Sequence, residues 1–304
     1  MSIINSLVFV SLFSPVFSQS LTEDTSGDFY YKKGLLQYRA GMYDFCIFSM
    51  ERALEKNHDL FEAANILAEI YIIKNDKQKA IEYYRKSLEA SDSQSDIHNA
   101  IAGLYEFYND RDKAFGHYRK AVSINKNHLR ANLNLVRFYL IEKRKDLADL
   151  HFNLSAEEGE KLTANIFAAA VKETESGNLK KALELYEETL KKNPAKIEAY
   201  IAASDIYRKF SRYDRAARIL EDLKFLKPDC EMAYVYLGNI YSTGKFPGVR
   251  KKYFIMAIKN LNKALDLNPR NSDTCYSLSK VYELIGEKDK SIEMENRARK
   301  LEDE

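Results

Sequence analysis

The 304-residue sequence has no tryptophan, only 5 prolines and 11 glycines, and 3 cysteines. So few turn-forming residues argue against a β-protein with many tight turns and leave helix as the default. Cys46, Cys230 and Cys275 lie far apart and are odd in number. No CxxC pair accompanies them, which argues against a disulfide framework or a zinc site. An excess of one charge is also missing: 47 Lys+Arg against 45 Asp+Glu leaves a net charge of +2. The chain therefore has no electrostatic footprint for nucleic acid.

Catalytic signatures are missing as well. GxGxxG, GxxxxGK[ST], GxSxG and HExxH do not occur, and with them go the phosphate loop, the nucleophile elbow and the helical zinc site. His58, His98, His117, His128 and His151 show no pairing with a second ligand in the sequence. The carboxylates have lysines at helical spacing, as Glu187 and Lys191 do, which is the pattern of a solvated helix face. No catalytic residue, metal or cofactor is expected, and the chain reads as a non-enzyme.

One apolar run exists, Ser6–Phe17, inside the uncharged stretch Met1–Ser18. It is shorter than the roughly 20 residues of a comfortable membrane span. Val16-Phe17-Ser18 ends it with a small last residue, as a signal-peptidase site prefers. Residues 1–18 thus read as a secretory signal or, if uncleaved, as an anchor that is the chain's only membrane contact. A periplasmic or extracellular location follows from the first reading. A polar linker covers 19–26.

What is abundant is hydrophobic (45%) and charged (30%) residues in a repeating order. From Gly27 onward small residues recur every 34 positions, at Gly34, Ala68, Ala102, Val136, Ala170 and Ser204. A second series follows each by 12 residues: Cys46, Ala80, Ala114, Ala148, Ala182 and Ala216. Aromatic residues sit one helical step beyond, as in Tyr71, Tyr105, Tyr139 and Tyr207. In Ile197–Cys230 this reads as two amphipathic helices around a tight turn, with small residues where the backbones approach. Pro194, Pro228 and Pro269 end second helices. Gly41, Gly177 and Gly286 occupy the turn, where positive φ is favoured.

These residues resemble the tetratricopeptide repeat family, most closely in Leu237-Gly238…Tyr241 and Ala182…Tyr186…Pro194. The resemblance implies an all-α fold: a right-handed α-solenoid of eight helix-turn-helix repeats. They fall at 27–60, 61–94, 95–128, 129–162, 163–196, 197–230, 231–271 and 272–304. Repeat seven carries seven extra residues around Gly244–Arg250. These predict a longer, protruding second helix with a basic tip of Lys245, Arg250, Lys251 and Lys252. Repeat eight is polar, with Glu295 in an apolar slot, as suits a solubilising cap.

The resemblance also implies a concave face lined by first helices that holds a peptide or helix of a partner protein. At its lining offsets stand Ile72, Ile73, Phe107, Arg130, Leu133, Arg137, Leu140, Ile141, Phe167, Val171 and Ile201, then Asp205 and Arg208. That lining suits an apolar segment carrying a carboxylate. Asn65, Glu69, Asn99, Gly103, Leu133 and Arg137 do not reproduce the Lys/Asn/Asn/Lys/Arg set with which chaperone-binding members clamp a C-terminus. The expected function is an interaction scaffold of the cell envelope or exported space. The alternative is a structural or self-associating subunit of an envelope complex.

Overall fold

The structure is a computed structural model that describes residues 26–246 and 250–303. The signal-peptide reading of 1–18, most of the linker and three residues of the insertion lie outside these. Among the described residues there are fifteen helices and no strand. The chain is all-α and divides into two compact units, before and after residue 92.

The first unit holds α1 (Gly27–Arg39), α2 (Tyr43–Lys56), α3 (Phe61–Ile73) and α4 (Lys77–Ala90). They form two antiparallel pairs stacked through α2 and α3, around Cys46, Met50, Ala53, Leu67 and Ile70. Cys46 is fully buried and its thiol donates to the Gly34 carbonyl at 3.2 Å. It is the small packing residue its slot calls for.

The second unit begins with α5 (Ser95–Phe107), α6 (Arg111–Ile124), α7 (Leu129–Ile141) and α8 (Lys145–Glu175). It continues with α9 (Leu179–Lys192), α10 (Ile197–Lys209), α11 (Tyr213–Leu226) and α12 (Glu231–Ser242). It closes with α13 (Arg250–Leu267), α14 (Ser272–Leu284) and α15 (Lys288–Asp303).

The hairpin turns share one device. The residue at the turn slot takes positive φ in Gly41, Asn75, Asn109, Lys143, Gly177, Ser211 and Gly286. The next N–H then reaches back to the helix, as from Asp76 to Tyr71 (2.8 Å), Arg144 to Tyr139 (2.8 Å) and Glu287 to Tyr282 (2.9 Å). This is the Schellman closure that satisfies the last carbonyls of a helix. Four of the seven slots carry a side chain in this region, which glycine alone tolerates without steric cost.

One boundary departs from the repeat. A turn was expected at 162/163, but α8 runs through it as one helix of 31 residues. It supplies both the second helix of repeat four and the first helix of repeat five. Other junctions carry a breaker or cap, such as Asn125, Asn193-Pro194 or Lys227-Pro228, and here stands Gly159-Glu160-Lys161-Leu162. Nothing in that stretch removes a backbone donor or caps a helix, so the helix continues. Gly159 is needed for another reason. A Cβ there would lie 2.2 Å from the amide group of Asn193, which is buried against α8.

In repeat seven α13 has 18 residues where α9 and α11 have 14, so the insertion lengthens the helix by about one turn. Its Phe246 stacks on Tyr253 at 4.6 Å and lies 5.3 Å from Tyr241. Arg250, Lys251 and Lys252 are exposed at the helix start. In α15 only Ala298 is buried among the described residues.

Candidate binding surface

The last turns of several first helices carry exposed apolar residues. Ile72 and Ile73 are exposed on α3 in the first unit. In the second unit Phe107 ends α5 at 63% exposure and Ile141 ends α7 at 56%. Together with Glu106 and Arg137 they line a depression of about 490 Å³ that spans repeats three and four. Arg137 lies 3.6 Å from a Glu106 carboxylate oxygen and makes a long ion pair. A guanidinium carries five N–H donors in a fixed fork, so donors remain for an incoming carboxylate. Arg130 is exposed at the start of α7, two turns before Arg137 on the same face of the helix.

Several of the other expected lining residues are drawn into the packing instead. Leu133 is 6% exposed and Ile201 is 7% exposed, so packing consumes both. Phe167 is half-buried, edge-on to Tyr186 at 5.7 Å, with the Lys196 ammonium 4.6 Å above its ring. Val171 packs against the same core. Asp205 and Arg208 pair with each other at 3.0 Å. The assumption behind the linear groove was that every first helix leaves its inner face open, and α7 does not.

The reason is a fold-back. Helix α11 reaches α7, two repeats upstream. The Arg137 guanidinium lies 5.9 Å from the ring centre of Phe225. Beside it a four-charge cluster joins the start of α8 to the turn after α11. Lys145 contacts Asp229 at 2.8 Å and Asp149 at 3.0 Å, Lys227 contacts Asp229 at 3.2 Å, and Lys227 also bonds Asp149. A hydrogen bond from Lys227 holds the Asp149 carboxyl below its usual range. Burial pushes Asp229 up, but Lys145 and Lys227 outweigh it and hold that carboxyl low as well. The Lys227 ammonium also lies 5.4 Å from the Phe152 ring centre. Leu140 is half-buried at this seam, in a cleft of about 440 Å³ with Phe152, Leu226 and Leu267.

The histidines need a second correction, because the fold pairs them. His98 Nδ1 lies 3.0 Å from His117 Nδ1, so one ring donates and the other accepts. One repeat later the same two slots hold Asn132 and His151, 2.7 Å apart. The Asn132 amide donates to the carbonyls of Lys126 and His128, so its oxygen accepts from His151 Nδ1. His128 caps α7, accepting from Ala131 N at 3.2 Å, and its other nitrogen meets Asp96 at 3.0 Å. The signal was the shared spacing of 19 residues. These contacts link α5 to α6 and α7 to α8, and they are structural. Among the described residues no group of three metal-ligating side chains gathers. No helix among them is long and apolar enough to cross a membrane.

Residues 173–236 and 61–94 match family models described as tetratricopeptide repeat. The matches cover α3 to α4 and α9 to α11 with the first half of α12, about a third of the chain. A 134-residue stretch is 27% identical to anaphase-promoting complex subunit 3 of Schizosaccharomyces pombe, over 44% of this chain and 20% of that protein. The chain thus matches a fifth of the length of this curated relative. Among solved structures, a tetratricopeptide repeat protein from Parabacteroides merdae is 18% identical, covering 84% of this chain and 98% of that one, with a TM-score of 0.43. MamA from Desulfovibrio magneticus is 18% identical over 57% and 94%, with a TM-score of 0.41. YrrB, a TPR protein with an unusual peptide-binding site, is 14% identical over 73% and 93%, with a TM-score of 0.34.

Proposed function

We propose that this chain, built on tetratricopeptide repeats, is a non-catalytic scaffold that binds a segment of another protein. Arrays of stacked helix pairs present extended surfaces and leave little room for a separate catalytic domain. The observation that carries the reading is the depression on α5 and α7, where exposed Phe107 and Ile141 flank Arg137. Exposed apolar groups gathered around one cation suit an apolar segment carrying a carboxylate. The location belongs to the proposal too: the uncharged, apolar start of the chain supports export to the periplasm or beyond, or anchoring if it is uncleaved.

Leu133 and Phe167 are poor probes, since charge at either would strike the packing. Phe107→Glu combined with Ile141→Glu changes only exposed side chains. This double variant is expected to keep its circular dichroism spectrum and to lose its partner in a pull-down from the native cells. Undiminished capture of the same partner would remove the depression from the reading.

A further inference from the structure

In a chain with 45 carboxylates, no Asp or Glu stands between Glu231 and Asp266. The stretch ends in α13, whose exposed stripe is Lys251, Lys252, Ile255, Lys259, Asn262 and Lys263. At 3.6 residues per turn these six share about a third of the helix circumference, over a length of about 18 Å. The buried residues Ala257, Asn260, Leu261 and Ala264 occupy the rest. Other second helices set carboxylates among their lysines, as Glu82 and Glu89 do on α4 and Glu184 and Glu188 do on α9. Residues 113–141 also lack Asp and Glu, but there Lys113 bonds Asp110 at 2.7 Å, Arg119 lies over the Phe115 ring and Arg137 pairs with Glu106. The four lysines of the α13 stripe make no ion pair among the described residues. Of the helices packed on α13, α12 carries Glu231, held by Asn268 and Asn271, and α14 carries Asp273 and Glu283 near its ends.

Such a stripe is complementary to a plane of mobile negative charge. All its cations are Lys, a point charge on a flexible stem, and none is the Arg fork that fixes a carboxylate or phosphate in one geometry. Ile255 is 58% exposed in their midst. An apolar side chain framed by lysines is the contact by which a surface-lying helix enters the headgroup boundary of a bilayer. A cluster of at least four cations on one helix is enough to hold such a helix on an anionic leaflet.

We infer that α13 is a docking face for an anionic lipid bilayer, on which the helix lies with Ile255 at the headgroup level. It stands apart from residues 1–18, the membrane contact expected from the sequence. The chain has no Trp, so Ile255→Trp is a single local reporter. With vesicles of equal parts phosphatidylcholine and phosphatidylglycerol its emission is expected to shift to the blue, and with pure phosphatidylcholine to stay unmoved. Phe48→Trp on α2 is expected to stay unmoved on both. Lys252→Gln combined with Lys259→Gln is expected to lower the partition of the full chain onto the mixed vesicles about thirtyfold in cosedimentation. Lys252→Arg combined with Lys259→Arg is expected to keep it. All of these positions are exposed, so the circular dichroism spectrum is expected to be unchanged throughout. An unmoved emission at position 255, an equal shift at position 48, or binding indifferent to the glutamine pair would overturn the inference. A blue shift with a glutamate-rich peptide but not with the vesicles would also overturn it, and would give the face to an acidic protein segment.

Discussion

Single positions in this chain are set by two local demands, a left-handed turn and a close approach. Ser211 holds φ of 59° at a slot that repeats one and five give to glycine. An L-residue there costs on the order of 1 kcal/mol, partly offset in a glycine variant by greater freedom of the unfolded chain. Ser211→Gly is expected to gain about 0.5 kcal/mol, seen as a higher denaturation midpoint. Gly159 poses the opposite case. In a helix interior, alanine would normally gain about 1 kcal/mol over glycine. Here its Cβ would run into the Asn193 amide, which is fixed by a 3.1 Å bond from Ala195 N and cannot swing away. Overpacking of this kind costs roughly 1–3 kcal/mol, so Gly159→Ala is expected to lower stability, and an unchanged or raised midpoint would contradict the contact. The thiols are quiet at this scale. Burial pushes Cys46 up to about 11 and raises Cys230 and Cys275, so all three are expected to resist alkylation at neutral pH.

The helices show how far a periodic sequence carries. Small residues, aromatic steps and turn glycines located fourteen of the helices by register, and a side chain could stand in for glycine at the same turns without shifting them. The continuity of α8 was not seen, although the chain records it. First-helix slots that face the preceding repeat are apolar in Leu67, Ile70, Leu135, Phe138, Leu237 and Ile240, and all of these are buried. Repeat five has exposed Ala169 and Lys172 there. Repeat one similarly has exposed Lys33 and a 67% exposed Leu36 there. An uncovered face is written into repeat five, but a period that looks only at packing within each hairpin passes over it. Leu162→Pro separates the two readings. A turn at 162/163 would accept proline, whereas a continuous helix loses about 3 kcal/mol or more. We expect the larger loss in chemical denaturation.

At the scale of the second unit, the fold-back of α11 onto α7 decides which surface stays open. It could not be read from the sequence, because Lys227 and Asp149 are 78 residues apart and no local pattern joins them. Its charges give it a pH signature. Burial holds the His151 imidazole below its ordinary range, so the fold favours the neutral ring. That contribution is complete above the unfolded value and is lost as the pH falls below it. Asp149 and Asp229 are lowered from 3.8, so their contribution is complete above that value and is lost below it. Stability is therefore expected to fall in two acid steps, the first removed in His151→Gln and the second weakened in Asp149→Asn, as followed by urea midpoints. What the fold-back leaves uncovered is the depression of Phe107, Arg137 and Ile141. The most direct measurement places a photo-crosslinking amino acid at position 107, 141 or, as an outer-face control, 120, and activates it in the native cells. A shared protein adduct from 107 and 141 but not from 120 is the predicted result, and an adduct from 120 alone, or none from 107 and 141, would contradict the account.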